Sequence, residues 1–137
     1  MSTIEENKNL IKNLFDEVSN QHNLEAVPKY WATDFFNHNA FPGQPAGSIG
    51  VKLSLKNLFT IFPDYKEDII DMIAEKDKVV VYANLSGTHS KEFMGIGATN
   101  RLVQFKVMEI FRIENNQVKE MWVLADFSSL LQQLNVK

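Results

Sequence analysis

The sequence predicts an α+β fold in which three amino-terminal helices pack on one face of a long antiparallel sheet. Two observations carry that expectation. Apolar residues recur at three- and four-residue intervals as far as Phe62, where Pro63-Asp64 breaks the pattern. From Tyr65 onward they recur at every second residue, the period of strands. A chain of 137 residues, 45% hydrophobic, suits a single domain over 1–137 with one core and room for one internal pocket.

Ser2 and Thr3 stand three residues before Glu5 and Glu6, the spacing at which hydroxyl and carboxylate satisfy each other's free amides at a helix start. Ile4, Ile11, Leu14, Phe15 and Val18 then form one apolar stripe that ends in the polar run 19–23. Asn23 is placed to cap a second, shorter helix carrying Leu24, Val27, Tyr30 and Trp31, with Pro28 in its first turn, where a missing amide costs little. Phe35 to Asn39 reads as a short extended piece. The Pro- and Gly-rich run 40–47 reads as a loop, with Ser48 as cap for a third helix bearing Val51, Leu55, Leu58, Phe59 and Phe62. Strands are expected near 65–74, 79–89, 101–113 and 117–125, and Asp126 precedes a terminal helix with Leu130, Leu131 and Leu134.

Composition narrows the chemistry. There is no cysteine, which removes thiolate nucleophiles, disulfides and cysteine-bound metals. Fourteen basic and seventeen acidic side chains give a net charge of -3, and the arginines are Arg101 and Arg112, so no basic face for nucleic acid is expected. The apolar stretches 79–83 and 121–125 are far too short to span a membrane, and the acidic start of the chain has no apolar signal core, so a cytoplasmic protein is expected. The three histidines have no i, i+4 pair, and no cofactor or metal is expected.

Strand periodicity then selects candidates. On 105–113 it places Phe105, Val107, Glu109, Phe111 and Ile113 on one face. A carboxyl among aromatics is desolvated and poised to exchange a proton near neutrality; equally, a strand-edge Glu can reach solvent. On 117–126 the same alternation groups Val118, Glu120, Trp122, Leu124 and Asp126, which makes Trp122 either a pocket floor or plain core. Asp126 also stands where the terminal helix needs a cap. His22 reads as a surface turn residue. His38 and His89 lie where strands hand over to loops, as proton shuttles or as loop-ordering donors. The opposite faces, with Met108, Ile110, Met121 and Val123, form a candidate dimer surface.

Taken in order, Phe35-Phe36-Asn37-His38-Asn39, the run Phe41 to Gly47, Phe62-Pro63-Asp64, Gly87-Thr88-His89 with Glu92 to Ile96, Glu109 to Ile113, and the closing Trp122 and Asp126 resemble the SnoaL-like polyketide cyclases over nearly the whole chain. The resemblance implies a cone-shaped α+β barrel, shared with nuclear transport factor two, whose curved sheet encloses an apolar cavity and commonly dimerises through the sheet. It also implies cofactor-independent ring closure or isomerase-like proton transfer on an apolar carbonyl compound, by a carboxylate assisted by histidine. Glu109, His38, His89 and Asp126 are the matching candidates, and Phe15, Trp31, Phe59, Met94, Phe105, Val107, Phe111 and Trp122 the expected pocket lining. Many relatives read Glu-His-Trp where this chain reads Glu120-Met121-Trp122, so Met121 cannot supply that histidine's proton. The other reading is a hydrophobic small-molecule-binding domain without chemistry.

Overall fold

The computed structural model describes residues 2–135. Helix α1 (Ile4–Leu14) starts as its sequence requires: the Thr3 hydroxyl accepts the Glu6 amide at 3.1 Å, and Glu6 accepts the Thr3 amide at 2.9 Å. The helix continues as a π-helical turn, Phe15–Asn20, which widens the coil and places Phe15, Val18 and Ser19 in the interior. A 3-10 turn, Leu24–Ala26, leads into the single-turn α2 (Val27–Tyr30). Trp31 is not on that helix; it begins strand β1 (Trp31–Asn37). Helix α3 (Gly47–Ile61) begins two residues earlier than a Ser48 cap allows, so Ser48 lies inside it and Ala46 is the cap position, with no side-chain cap bond.

Strands β2 (Lys66–Glu75), β3 (Lys78–Thr88), β4 (Leu102–Glu114) and β5 (Gln117–Ala125) lie within one or two residues of their expected positions, and α4 (Phe127–Asn135) closes the chain. The sheet order is β1-β5-β4-β3-β2, antiparallel except that β1 runs parallel to β5, so the sheet is mixed. The Pro-Gly loop and α3 form the long connection between β1 and the rest of the sheet, so β1 joins the far edge beside the last strand rather than pairing with β2.

One irregularity governs which side chains face inward. Arg112 pairs with Glu120 but Ile113 pairs with Val118, so Lys119 is an extra residue, a bulge in β5. An added residue exchanges the two faces of everything that follows it. Met121, Val123 and Ala125 therefore point inward opposite Phe111, Glu109 and Val107, while Trp122 and Leu124 lie opposite Ile110 and Met108 on the outer face. Strict alternation through 117–126 had assigned these two sets the other way round.

The core comprises two packed clusters. Ile11, Leu14, Phe15 and Val18 pack with Val27, Trp31, Phe35, Val81, Phe111 and Val118; Ile61, Phe62, Tyr65 and Leu85 pack with Val103, Phe105, Leu130 and Leu134 at the other end. Phe15 and Phe111 meet edge to face at 6.1 Å. The loop before α3 is pressed onto that helix so closely that a Cβ on Gly50 would stand 1.8 Å from the Pro45 carbonyl oxygen. In an open helix Gly→Ala stabilises by about 1 kcal/mol. Here Gly50→Ala is expected to lower stability by about 1–3 kcal/mol through overpacking. An unchanged or raised urea midpoint would show instead that the loop yields freely.

Candidate active site

Between the two clusters lies a cavity of about 370 Å³ walled by Phe15, Trp31, Phe35, Phe62, Phe105 and Phe111 among others. Its acidic members are Glu67 and Glu109, and among the described residues no Lys, Arg or His lines it. Glu109 comes from the centre of β4, where Phe105, Val107, Phe111 and Ile113 alternate inward with it, and it is 5% exposed. Glu67 comes from the start of edge strand β2 and is 7% exposed. Tyr65, two residues earlier on the same inward face, donates its hydroxyl to Glu67 Oε1.

The two carboxyls face each other within hydrogen-bonding reach. Burial pushes both above the usual carboxylate range. Glu109 is raised well above it, by burial first and then by the negative charge of Glu67. Burial, followed by the Glu67 charge, likewise pushes the Tyr65 hydroxyl well up, so it stays a donor. Glu67 Oε2 is buried with no hydrogen-bond donor among the described residues, an arrangement that disfavours full ionisation. The ionisation of each carboxyl depends on the other, so a proton shared between them belongs to the pair.

The end of α1 fixes this arrangement. The backbone N–H of Glu67 donates to Asn20 Oδ1 at 2.8 Å, and Asn20 Nδ2 donates to the Glu67 carbonyl at 3.0 Å. His22 Nε2 lies 2.8 Å from the Tyr65 carbonyl and so carries a proton toward it, while its ring stacks on Phe59 at 3.9 Å. Asn20 thus uses backbone groups of the edge strand β2 itself, and His22 the carbonyl of the residue just before it.

The cavity does not gather the other candidates. His38 lies on the outer face, stacked on Trp122 at 4.4 Å, with Nε2 2.8 Å from Glu120; Arg112 Nε donates to the same carboxylate at 2.5 Å. His89 is fully buried away from the cavity lining, and its Nδ1 accepts the Thr99 amide at 3.1 Å, ordering the loop before β4. Asp126 caps α4, accepting the Ser129 amide at 3.0 Å. Of the expected lining, Phe15, Trp31, Phe105, Val107 and Phe111 face the cavity. Phe59 is taken up by His22 and Tyr65, Met94 is half exposed in the 90–100 loop, and the β5 bulge turns Trp122 outward.

Glu67 and Tyr65 were missed although their signal was present: Tyr65, Glu67 and Ile69 alternate with Lys66 and Asp68. Asn37, Asn39 and Gln44, which line the cavity from β1 and the following loop, lie in segments that carry the family resemblance, but no periodicity marks them as lining.

Among solved structures, the chain is similar to TsrD from Streptomyces laurentii, with TM-score 0.90, 20% identity and 98% of each chain covered, a likeness of fold. It is similar to IdmH from Streptomyces antibioticus, a candidate polyketide cyclase, with TM-score 0.81, 26% identity, 95% of this chain and 99% of that one. AclR from Streptomyces galilaeus, a candidate hydroxylase, matches with TM-score 0.83, 26% identity, 96% of this chain and 97% of that one. No curated protein matches. The model of one family, SnoaL-like polyketide cyclase, matches residues 9–134, nearly the whole chain and all of the cavity's walls, and the chain belongs to that family.

Proposed function

We propose that the protein is a cofactor-independent acid/base enzyme that moves a proton on an apolar carbonyl compound, in the manner of a cyclase or isomerase. The observation that carries this reading is the Glu67–Glu109 pair inside an aromatic cavity. Glu109 is the group that exchanges a proton with the substrate. When the shared proton lies on Glu67, Glu109 is a carboxylate able to take a proton from the carbon beside a carbonyl; when it lies on Glu109, that group returns a proton to carbon or oxygen. Like charges held this close cannot both ionise cheaply, which keeps one acid form and one base form together at one pH. Tyr65 steadies the Glu67 side of the exchange. His38 and His89 take no part, so the carboxyl partner replaces the histidine that the family resemblance implied. A pure binding role would need no second acid.

Glu109→Gln is expected to cut turnover by about 10²–10⁴-fold, the size of a lost general acid/base contribution. Retained turnover on an identified carbonyl substrate would end the assignment. The same change has a stability signature of known sign. A carboxyl whose folded pKa is raised favours its protonated form in the fold, so its contribution is intact below the ordinary Glu range and is lost as pH rises toward the folded value. Wild-type Tm should therefore fall on going from pH 4 toward neutrality and above more steeply than that of Glu109→Gln, which should be the more stable at pH 8. Parallel Tm profiles would contradict a buried, proton-retaining Glu109.

We also propose that a second copy of this chain covers the outer sheet face. Every helix lies on the inner side. The outer face presents Trp122, Ile110, Val80 and Ile73 in one cross-strand row and Leu124, Met108 and Tyr82 in the next, with Ile73, Met108 and Leu124 each about half exposed or more. Met121 and Val123 do not belong to this surface. Met108→Lys is expected to shift a micromolar sample from dimer to monomer in sedimentation velocity; a wild-type monomer would refute the proposal.

A further inference from the structure

Hydrogen-bond accounting at the cavity's mouth exposes an asymmetry. Asn37 Oδ1 accepts the Asn39 amide at 2.9 Å, Asn39 Oδ1 accepts the Val123 amide at 2.8 Å, and Gln44 Oε1 accepts the Phe41 amide at 3.3 Å. A backbone N–H can only donate, so in all three side chains the oxygen end is chemically fixed and the NH2 end is the one left over. None of these NH2 groups has an acceptor among the described residues, and all three residues line the cavity. Asn37 and Gln44 are partly buried, Asn39 more open. These three side chains thus offer donors to the cavity, with their acceptor atoms spent on holding the loop and β5.

We propose that these three carboxamides form a binding subsite for a carbonyl-type oxygen of the ligand, distinct from the acid pair deeper in the cavity. An acceptor-only group matches these three donors, whereas a hydroxyl or amine would turn its own protons toward N–H groups. A neutral oxygen is favoured over a carboxylate because the cavity already contains two acids and, among the described residues, no basic side chain lines it. Geometry sets the order of the two sites. Asn39 is bonded to Val123, the residue of β5 directly opposite Glu109, so the mouth carboxamides and the acid serve the same cavity from neighbouring strands. The ligand class is therefore a flat or compact apolar dicarbonyl, one carbonyl read at the mouth and the other presented to Glu109. The second half of that statement rests on the function proposed above; the subsite itself does not.

Nearly isosteric substitutions that exchange the donor for an acceptor isolate the donors. Asn37→Asp, Asn39→Asp and Gln44→Glu keep the oxygen that holds each backbone amide and replace the NH2 by a second acceptor. The probe is 2,6-diacetylnaphthalene, with 2,6-diisopropylnaphthalene as a partner of similar shape lacking acceptors, and binding is read by quenching of tryptophan fluorescence. Asn39→Asp and Gln44→Glu are each expected to weaken the diketone by about five- to tenfold, the worth of one hydrogen bond, while the hydrocarbon changes less than about twofold. Equal affinity of all three variants and wild type for the diketone would overturn the subsite, as would equal losses for both probes, which would mean a deformed cavity. Tyr65→Phe and Glu109→Gln separate the two readings. If they weaken the diketone and the mouth variants do not, the acid site stands and the subsite falls. If only the mouth variants weaken it, the subsite stands and the acid end does not receive a carbonyl.

Discussion

Two carboxyl groups from separate strands are held against each other in a chamber walled by phenylalanines, and the rest of the architecture is arranged so that this costly contact persists. Unpaired buried charge is expensive. Here the cost is limited by burial favouring the protonated forms and by the Tyr65 hydroxyl, and the contact is sustained by the strands that carry the pair. Glu109 stands at the middle of the longest strand, flanked on both sides by inward aromatics. Glu67 sits near the end of an edge strand, where the ladder alone would leave it free to fray. The side chains of Asn20 and His22 complete that strand end from outside. The π-helical turn that ends α1 is thus part of the site although it contributes no reacting group.

Much of this was legible in the chain. The change of period at Pro63-Asp64 located the switch from helix to sheet, the Thr3–Glu6 pair located the first helix, and alternation around Glu109 identified a buried acid. What escaped detection had physical causes. A bulge adds one residue without any compositional mark, so the inward and outward sets of β5 could not be told apart by alternation, and Trp122 exchanged places with Met121 and Val123. Trp31 fits an apolar helical spacing and equally a strand start; pairing with Val118 across a distance of eighty-seven positions decides it, and local pattern does not contain that information. Glu67 had a local signal and was hidden only by the charged neighbours Lys66 and Asp68.

Family membership sets the scaffold and leaves the chemistry to the residues. Structural neighbours of comparable identity are described both as a candidate cyclase and as a candidate hydroxylase, so the fold by itself does not choose a reaction. In this chain His38 is engaged on the outer face with Trp122 and Glu120, and the inward position beside Trp122 is Met121. The titratable groups that line the cavity among the described residues are carboxyl and phenol groups, whose charged forms burial suppresses. On the proposed function, such a site suits neutral, weakly polar compounds that enter without bringing a charge into the cavity.

The capture of Glu67 by Asn20 also protects the molecule from its own kind. Strand β2 is an open sheet edge, the surface on which extended chains add to one another and aggregate. Its first part has its outward N–H and C=O at Glu67 already occupied by a side-chain amide that imitates a neighbouring strand. Further along, Ile70 is inserted between Ile69, paired with Ala83, and Asp71, paired with Tyr82, which breaks the regular spacing an incoming strand would need. The contact that steadies an acid thus doubles as a barrier to unwanted polymerisation, so loosening it would be felt first as poor solubility in a protein still able to fold.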